Sequence, residues 1–157
     1  MSRRRQATKR PLAKDGKYQN TLVARLVNTV MCSGKKSTAE RIVYGAFDTI
    51  SEKNPASSPI EILQRAVDNA KPRIETKARR VGDATYQVPL EIPTDRQNAL
   101  ALRWIVDFAD AKKGMPMKAA LATEILEAFQ GQGNAIRKRD EVHKMAQANK
   151  AFAHFRW

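Results

Sequence analysis

The sequence predicts a mainly α protein, a single bundle of about six helices with a protruding two-stranded β-hairpin and a disordered basic N-terminal tail. Three observations lead there. Apolar residues recur at helical spacing over most of the chain. Only the stretch 71–92 alternates with period two, on either side of a Gly82-Asp83 pair. Residues 1–19 show no apolar periodicity at all. At 157 residues the chain is one domain, 1–157, long enough to bury a substantial core.

The basic extension, 1–19, carries Arg3, Arg4, Arg5, Lys9, Arg10, Lys14 and Lys17 against a single acid, Asp15. So much charge with so little to bury predicts disorder in the free chain. A solubilising tail is the plain alternative. Three consecutive arginines favour phosphate contact instead, because the guanidinium fork pairs bidentately with phosphate oxygens. The start also lacks the apolar run of a signal peptide.

Asn20 is the expected N-cap of a first helix with two adjoining stripes, Leu22, Leu26, Val30 and Val23, Val27, Met31, ended by Gly34. Lys35-Lys36 occupy the turn that follows. Ser37 to Glu40 reads as a capping box opening a second helix, whose inward face is Ile42, Val43, Ala46, Phe47 and Ile50 and which stops before Asn54-Pro55. Ser58 and Glu61 frame a third, with Pro59 at its first position and Ile62, Leu63, Ala66 and Val67 buried. Lys71-Pro72 ends it.

On the first arm of the hairpin, 71–92, Ile74, Thr76 and Ala78 point one way while Arg73, Glu75, Lys77 and Arg79 point the other. On the second arm Tyr86, Val88, Leu90 and Ile92 oppose Thr85, Gln87, Pro89 and Glu91, so each arm has one apolar and one polar face. Pro89 cannot donate a ladder bond, which leaves its strand a free edge. Two strands alone are marginal, so the base of the ribbon must pack on helices. Arg79-Arg80 beside the tip favour an arm that projects toward a ligand over one lying flat on the core.

After the hairpin, Thr94 to Gln97 is a further capping box, opening a fourth helix with Leu102, Ile105, Val106 and Ala109 inward. Lys112 to Pro116 is a break. Met117, Leu121, Ile125, Ala128 and Phe129 then define a fifth helix, closed by Gly131. The basic C-terminal helix and tail, 134–157, is thinly apolar and rich in cations from Arg137 to Lys150. Such a helix is either solvated or laid on a polyanion. Its closing aromatics, Phe152, Phe155 and Trp157, read as a tail docked on the core or facing a partner.

Lysine and arginine outnumber the acids by 29 to 16, a net charge of +13, which is the footprint of a polyanion binder. No apolar run approaches the roughly 18 residues of a spanning helix, so the expected partner is nucleic acid and not a membrane. The excess charge falls on the extension, the Lys35-Lys36 turn, the hairpin tip and the last helix. The single Cys32 cannot form an internal disulfide, in keeping with a reducing compartment. Aromatics are scarce, which argues against base stacking as the main mode. No catalytic constellation, metal set or cofactor motif is expected: His143 and His154 are 11 residues apart, not at the spacing of a helical metal pair. Gly34-Lys35-Lys36-Ser37 echoes the end of a phosphate loop, but Thr29 stands where its first glycine belongs and the preceding segment reads as helix.

Several runs in order and at matching spacing resemble one family: Arg3-Arg4-Arg5, Gly34 to Glu40, Lys77 to Pro89, Asn98 to Trp104, and His143 to Trp157. Together they resemble small-subunit ribosomal protein seven of the bacterial type, over the whole chain. At the hairpin tip many relatives have Val-Gly-Gly where this chain has Val81-Gly82-Asp83. Aspartate tolerates the left-handed backbone of such turns. The resemblance implies a cytoplasmic ribosomal protein that binds the 3′ major domain of 16S rRNA, nucleates assembly of the small-subunit head, touches neighbouring head proteins, and lines the exit-site path of tRNA and mRNA. It implies Arg3, Arg4, Arg5, Arg10, Lys35, Lys36, Lys77, Arg79 and Arg96 as rRNA-facing, and Arg80, Val81, Gly82, Lys144 and Asn149 at the exit site. The runner-up is an architectural DNA-binding protein gripping a groove with its basic β-arm. An RNA-processing enzyme comes third, for lack of a site.

Overall fold

The structure, a computed structural model, describes Thr8 and residues 10–155. The elements follow in the expected order: α1 (Thr21–Val30), α2 (Lys36–Lys53), α3 (Pro59–Ala70), β1 (Ile74–Val81), β2 (Ala84–Glu91), α4 (Thr94–Asp110), α5 (Met117–Phe129), α6 (Asn134–Ala148) and a short 3-10 helix, Lys150–Phe155. At the centre lies α5, packed against α2, α3 and α4. Its Ala120, Leu121, Ala122, Ile125 and Ala128 are buried, and the alanines let neighbouring helices approach closely. Phe47 and Ile50 of α2, Ile62 and Leu63 of α3, and Leu102 and Ile105 of α4 close the core around it. Burying a Leu, Ile or Phe stabilises by about 1.5–3 kcal/mol, so this cluster, not helix propensity, holds the bundle together.

Local signals place the helices well and their caps less well. Asn20 caps α1 as expected, its side chain accepting from the Leu22 N–H at 2.7 Å. That helix ends at Val30, earlier than Gly34, because Met31 already turns to extended backbone (ψ 127°); Ser33 (φ 54°) and Gly34 (φ 74°) then form the left-handed turn. The Ser37–Glu40 box does not form. Lys35 is the cap residue, and the turn already engages the Lys36 N–H with the Gly34 carbonyl at 2.9 Å. Ser58 stands at the cap of α3, with Pro59 inside it, but makes no capping bond. At α4 the helix starts one residue earlier than that box requires, with Pro93 as cap and Thr94 already helical, so Gln97 no longer stands at the third position. The Gln97 amide donates instead to the Ile92 carbonyl at 2.8 Å.

The start of α6 is held from a distance. Gly133 (φ 94°) precedes it, and the fully buried Glu124 of α5 accepts the Ala135 N–H at 3.1 Å. Lys112 Nζ lies 3.0 Å from the other Glu124 oxygen, an ion pair without the alignment of a hydrogen bond, and 2.9 Å from Glu127. Burial works against the Lys112 charge, yet the pull of Glu127 and Glu124 prevails and its pKa is raised. A Cβ at position 133 would lie 3.0 Å from Glu127 Cβ on a left-handed backbone, so any side chain here would be both crowded and strained.

Part of the expected extension is attached to the core. From Asp15 onward the chain is pinned to α2: Asp15 accepts the Tyr44 hydroxyl at 2.8 Å, and Tyr18 sets its ring edge-on to Tyr44 and Phe47. Leu22 and Tyr18 supply the apolar anchorage that composition alone hides among the lysines.

Antiparallel pairing sets Ile74 opposite Glu91, Thr76 opposite Pro89, Lys77 opposite Val88 and Arg79 opposite Tyr86. Directly opposed residues share a face of a sheet. The apolar set of one arm therefore lies beside the polar set of the other, and the ribbon as a whole has no single apolar face. It takes cover from several elements. Thr76 donates to Met145 of α6, Tyr86 packs on Phe152 and Phe155 of the 3-10 helix, and Glu75 pairs with Arg96 of α4. Gly82 alone takes the left-handed turn conformation (φ 63°), and Asp83 does not need it. That pattern matches a two-residue turn with glycine first.

Candidate nucleic-acid interface

The ribbon is clamped at its base and bare at its tip. The Arg73 N–H donates to His143 Nε2 of α6 at 2.9 Å, which makes that nitrogen the unprotonated one. Burial, then the charges of Arg139 and Arg73, hold the His143 pKa below its ordinary value, against the opposing pull of Asp140. The neutral ring is the form that can accept this bond. Farther out, Lys77 and Arg80 are exposed and Arg79 is half-buried; the Arg80 Nε reaches the Gly82 carbonyl at 3.2 Å across the turn. Val81 is half-buried, and Gly82 and Asp83 are exposed.

At the hairpin base Arg96 is already engaged. Its guanidinium makes a bidentate pair with Glu75, at 2.9 and 3.1 Å from Nε and 2.9 Å from Nη2, and that bond and charge raise its pKa. With 55% of its side chain exposed, it stays accessible to a phosphate beside or in place of Glu75.

Lys35 and Lys36 are exposed on the α1–α2 turn. Lys35 lines a hollow with Asp107 and Asp110, near the C-terminal end of α4, whereas Arg96 sits at the N-terminal end. From Arg96 to Asp107 the helix rises roughly 16 Å, so the turn and the hairpin base are separate contact points at the two ends of one helix. Between them runs a groove lined by Leu12, Ala99 and Leu102, the cations Arg25 and Arg103 and the acids Asp95 and Asp107. Arg25 and Arg103 were not among the expected contact residues, although Arg103 lies within the Asn98–Trp104 run. Each stands on the polar side of an amphipathic helix, where a cation reads as ordinary solvated surface. Arg10 is exposed on the segment leading to this groove. Arg3, Arg4 and Arg5 lie outside the described residues.

On α6, Lys144 is exposed. Asn149 is half-buried and occupied as the C-cap, its amide donating to the Met145 carbonyl at 2.8 Å. Among the described residues no group of three or more His, Cys, Asp or Glu is placed to hold a metal, and no helix is long and apolar enough to cross a membrane. What the arrangement can do is present cations from several separate extensions of one rigid core, which suits recognition of a folded polyanion by shape.

Comparison with known proteins agrees. The family model described as Ribosomal protein S7p/S5e matches residues 2–150. The chain is 54% identical over 157 residues to Small ribosomal subunit protein uS7 of Akkermansia muciniphila, covering the whole of both chains. It is 52% identical, again over the full length of both, to the proteins of that name from Francisella tularensis and Anaeromyxobacter sp.. A match that runs through the tail, the helices and the β-arm alike leaves no segment to a different fold family, and the chain belongs to the ribosomal protein S7p/S5e family.

Proposed function

We propose that this chain grips the 3′ major domain of 16S rRNA with its N-terminal extension, the Lys35-Lys36 turn, the α1–α4 side and the ribbon stem, nucleating assembly of the small-subunit head. As a member of this family the protein is a structural, non-enzymatic component of the small ribosomal subunit, with ribosomal RNA and ribosomal proteins as partners. That decides against both the architectural DNA-binding reading and the RNA-processing one.

In this reading Arg3, Arg4, Arg5, Arg10, Lys35, Lys36, Lys77, Arg79 and Arg96 meet rRNA, joined by Arg25 and Arg103. Arg80, Val81, Gly82 and Lys144 line the exit-site path of tRNA and mRNA, with Asn149 acting through the end of α6. The supporting observation is the ribbon itself, clamped at its base by α6, α4 and the 3-10 helix while Lys77, Arg80 and the turn stay exposed. A-form RNA hides its bases in a deep groove, so rigidly spaced cations that read backbone shape are the fitting tool.

Chemical probing of 16S rRNA with the purified protein tests the proposal. Protection of a discrete set of 3′-domain nucleotides is expected, and Lys77→Ala with Arg80→Ala should weaken contact without lowering Tm. Uniform weak protection across the rRNA would reject it.

A further inference from the structure

Asp15 is one of two charged residues buried among the described residues, and it stands at the root of the basic extension. One carboxylate oxygen accepts the N–H groups of Lys17 and Tyr18 at 3.1 and 3.0 Å, and the other accepts the Tyr44 hydroxyl at 2.8 Å. The backbone closes the same loop, with the Asp15 N–H on the Asn20 carbonyl at 3.3 Å and the Gln19 N–H on the Asp15 carbonyl at 3.0 Å. Lys17 stays on the protein, 3.7 Å from Asp48 and over the Tyr18 and Tyr44 rings. None of this is needed to start α1, which Asn20 caps by itself. These three donors offset the cost of holding the carboxylate at 6% exposure.

The loop does fix a direction. The chain preceding Asp15 places Leu12 in the groove between α1 and α4, where Ala99 and Leu102 line the hollow together with the cations Arg25 and Arg103 and the acids Asp95 and Asp107. Arg10 and Lys14 flank Leu12 and are exposed. Arg25 has Asp95 at 3.7 Å, with both side chains largely in solvent, a contact a phosphate can replace at little cost.

We propose that Asp15, held by Tyr44, is a positioning residue for RNA binding: it is the pivot that keeps Leu12 in the α1–α4 groove, so that the flanking Arg10 and Lys14 engage the same stretch of RNA backbone as Arg25 and Arg103. The proposal rests on the reading that the extension contacts RNA. A tail that leaves the core in one direction forfeits less orientational freedom on binding than one free to swing, so the pivot acts on affinity through preorganisation.

The test uses the full chain in two tail backgrounds, native and with Arg10 and Lys14 both changed to Gln. Asp15→Ala and Tyr44→Phe are placed in each, and Kd for a 16S 3′-domain RNA is measured over a salt series alongside Tm. With the native tail, Asp15→Ala should weaken binding about tenfold, and Tyr44→Phe, which keeps the ring packing, should do so more mildly. With the neutralised tail, neither should weaken it further. Equal weakening in both backgrounds would overturn the proposal, as would no weakening with the native tail, and would leave Asp15 a fold stabiliser. If neutralising the tail itself leaves Kd and salt slope unchanged, the extension does not contact RNA and the reading beneath the proposal fails instead. Should Asp15→Ala lower Tm below the assay temperature, Tyr44→Phe carries the same comparison.

Discussion

At the tip of the ribbon a Cβ on Gly82 would meet nothing within 4 Å, yet its φ of 63° is one that side-chain-bearing residues rarely adopt. Gly82→Ala should therefore cost about 1–2 kcal/mol through backbone conformation alone, read as a lower Tm with an unchanged core. Glu124 is the opposite case, a residue whose worth comes wholly from its surroundings. Removing its carboxylate in Glu124→Ala strands the Ala135 N–H and leaves Lys112 with Glu127 alone. A loss of about 3 kcal/mol is expected by chemical denaturation, with protection from hydrogen exchange falling first at the start of α6. No sequence pattern announced that role, because Glu124 lies in the middle of α5 and serves a helix that begins 10 residues later.

Between elements, the ribbon and α6 are coupled through the Arg73 N–H and neutral His143. The folded His143 pKa is lowered, so the unfolded chain binds the proton more readily. The bond's contribution is fully present above the unfolded value of about 6.5 and is lost as pH falls through the lower folded one. Tm should accordingly drop more steeply below about pH 6.5 in the wild type than in His143→Asn, which has no such titration. Identical pH profiles for the two would refute the coupling. Tyr86 makes a second joint, its ring centroid 5.0 Å from Phe152 and 5.2 Å from Phe155. Tyr86→Ala should release the 3-10 helix to protease while the α-helices keep their protection, since ring pairs of this kind contribute about 0.5–1.5 kcal/mol beyond their burial.

Across the whole molecule, a net charge of +13 carried on separate projections predicts binding dominated by counterion release. If about eight phosphates are contacted, log K should fall against log salt with a slope of roughly −6 to −7, and Arg25→Ala with Arg103→Ala should make it shallower by one to two units. Affinity that barely responds to salt would contradict the mechanism.

Helix order, the hairpin and the polyanion class were legible in the sequence because each rests on short-range physics: the 3.6-residue and two-residue periods, glycine at a turn, and an uncompensated count of cations. Asn20 shows the same, since its cap partner is two residues away. Relations over long separations were not legible. The earlier start of α4 sent the Gln97 amide to Ile92, the register put the arms' apolar sets on opposite faces, Glu75 engaged Arg96, and Tyr44 reached Asp15 across 29 residues. By itself the sequence determined the elements, the partner's charge and, through motifs spread over the whole chain, the family. Only the tertiary structure decided which cations are already paired, where the extension leaves the core and which atoms cap which helix, because those depend on what packing brings within hydrogen-bond reach.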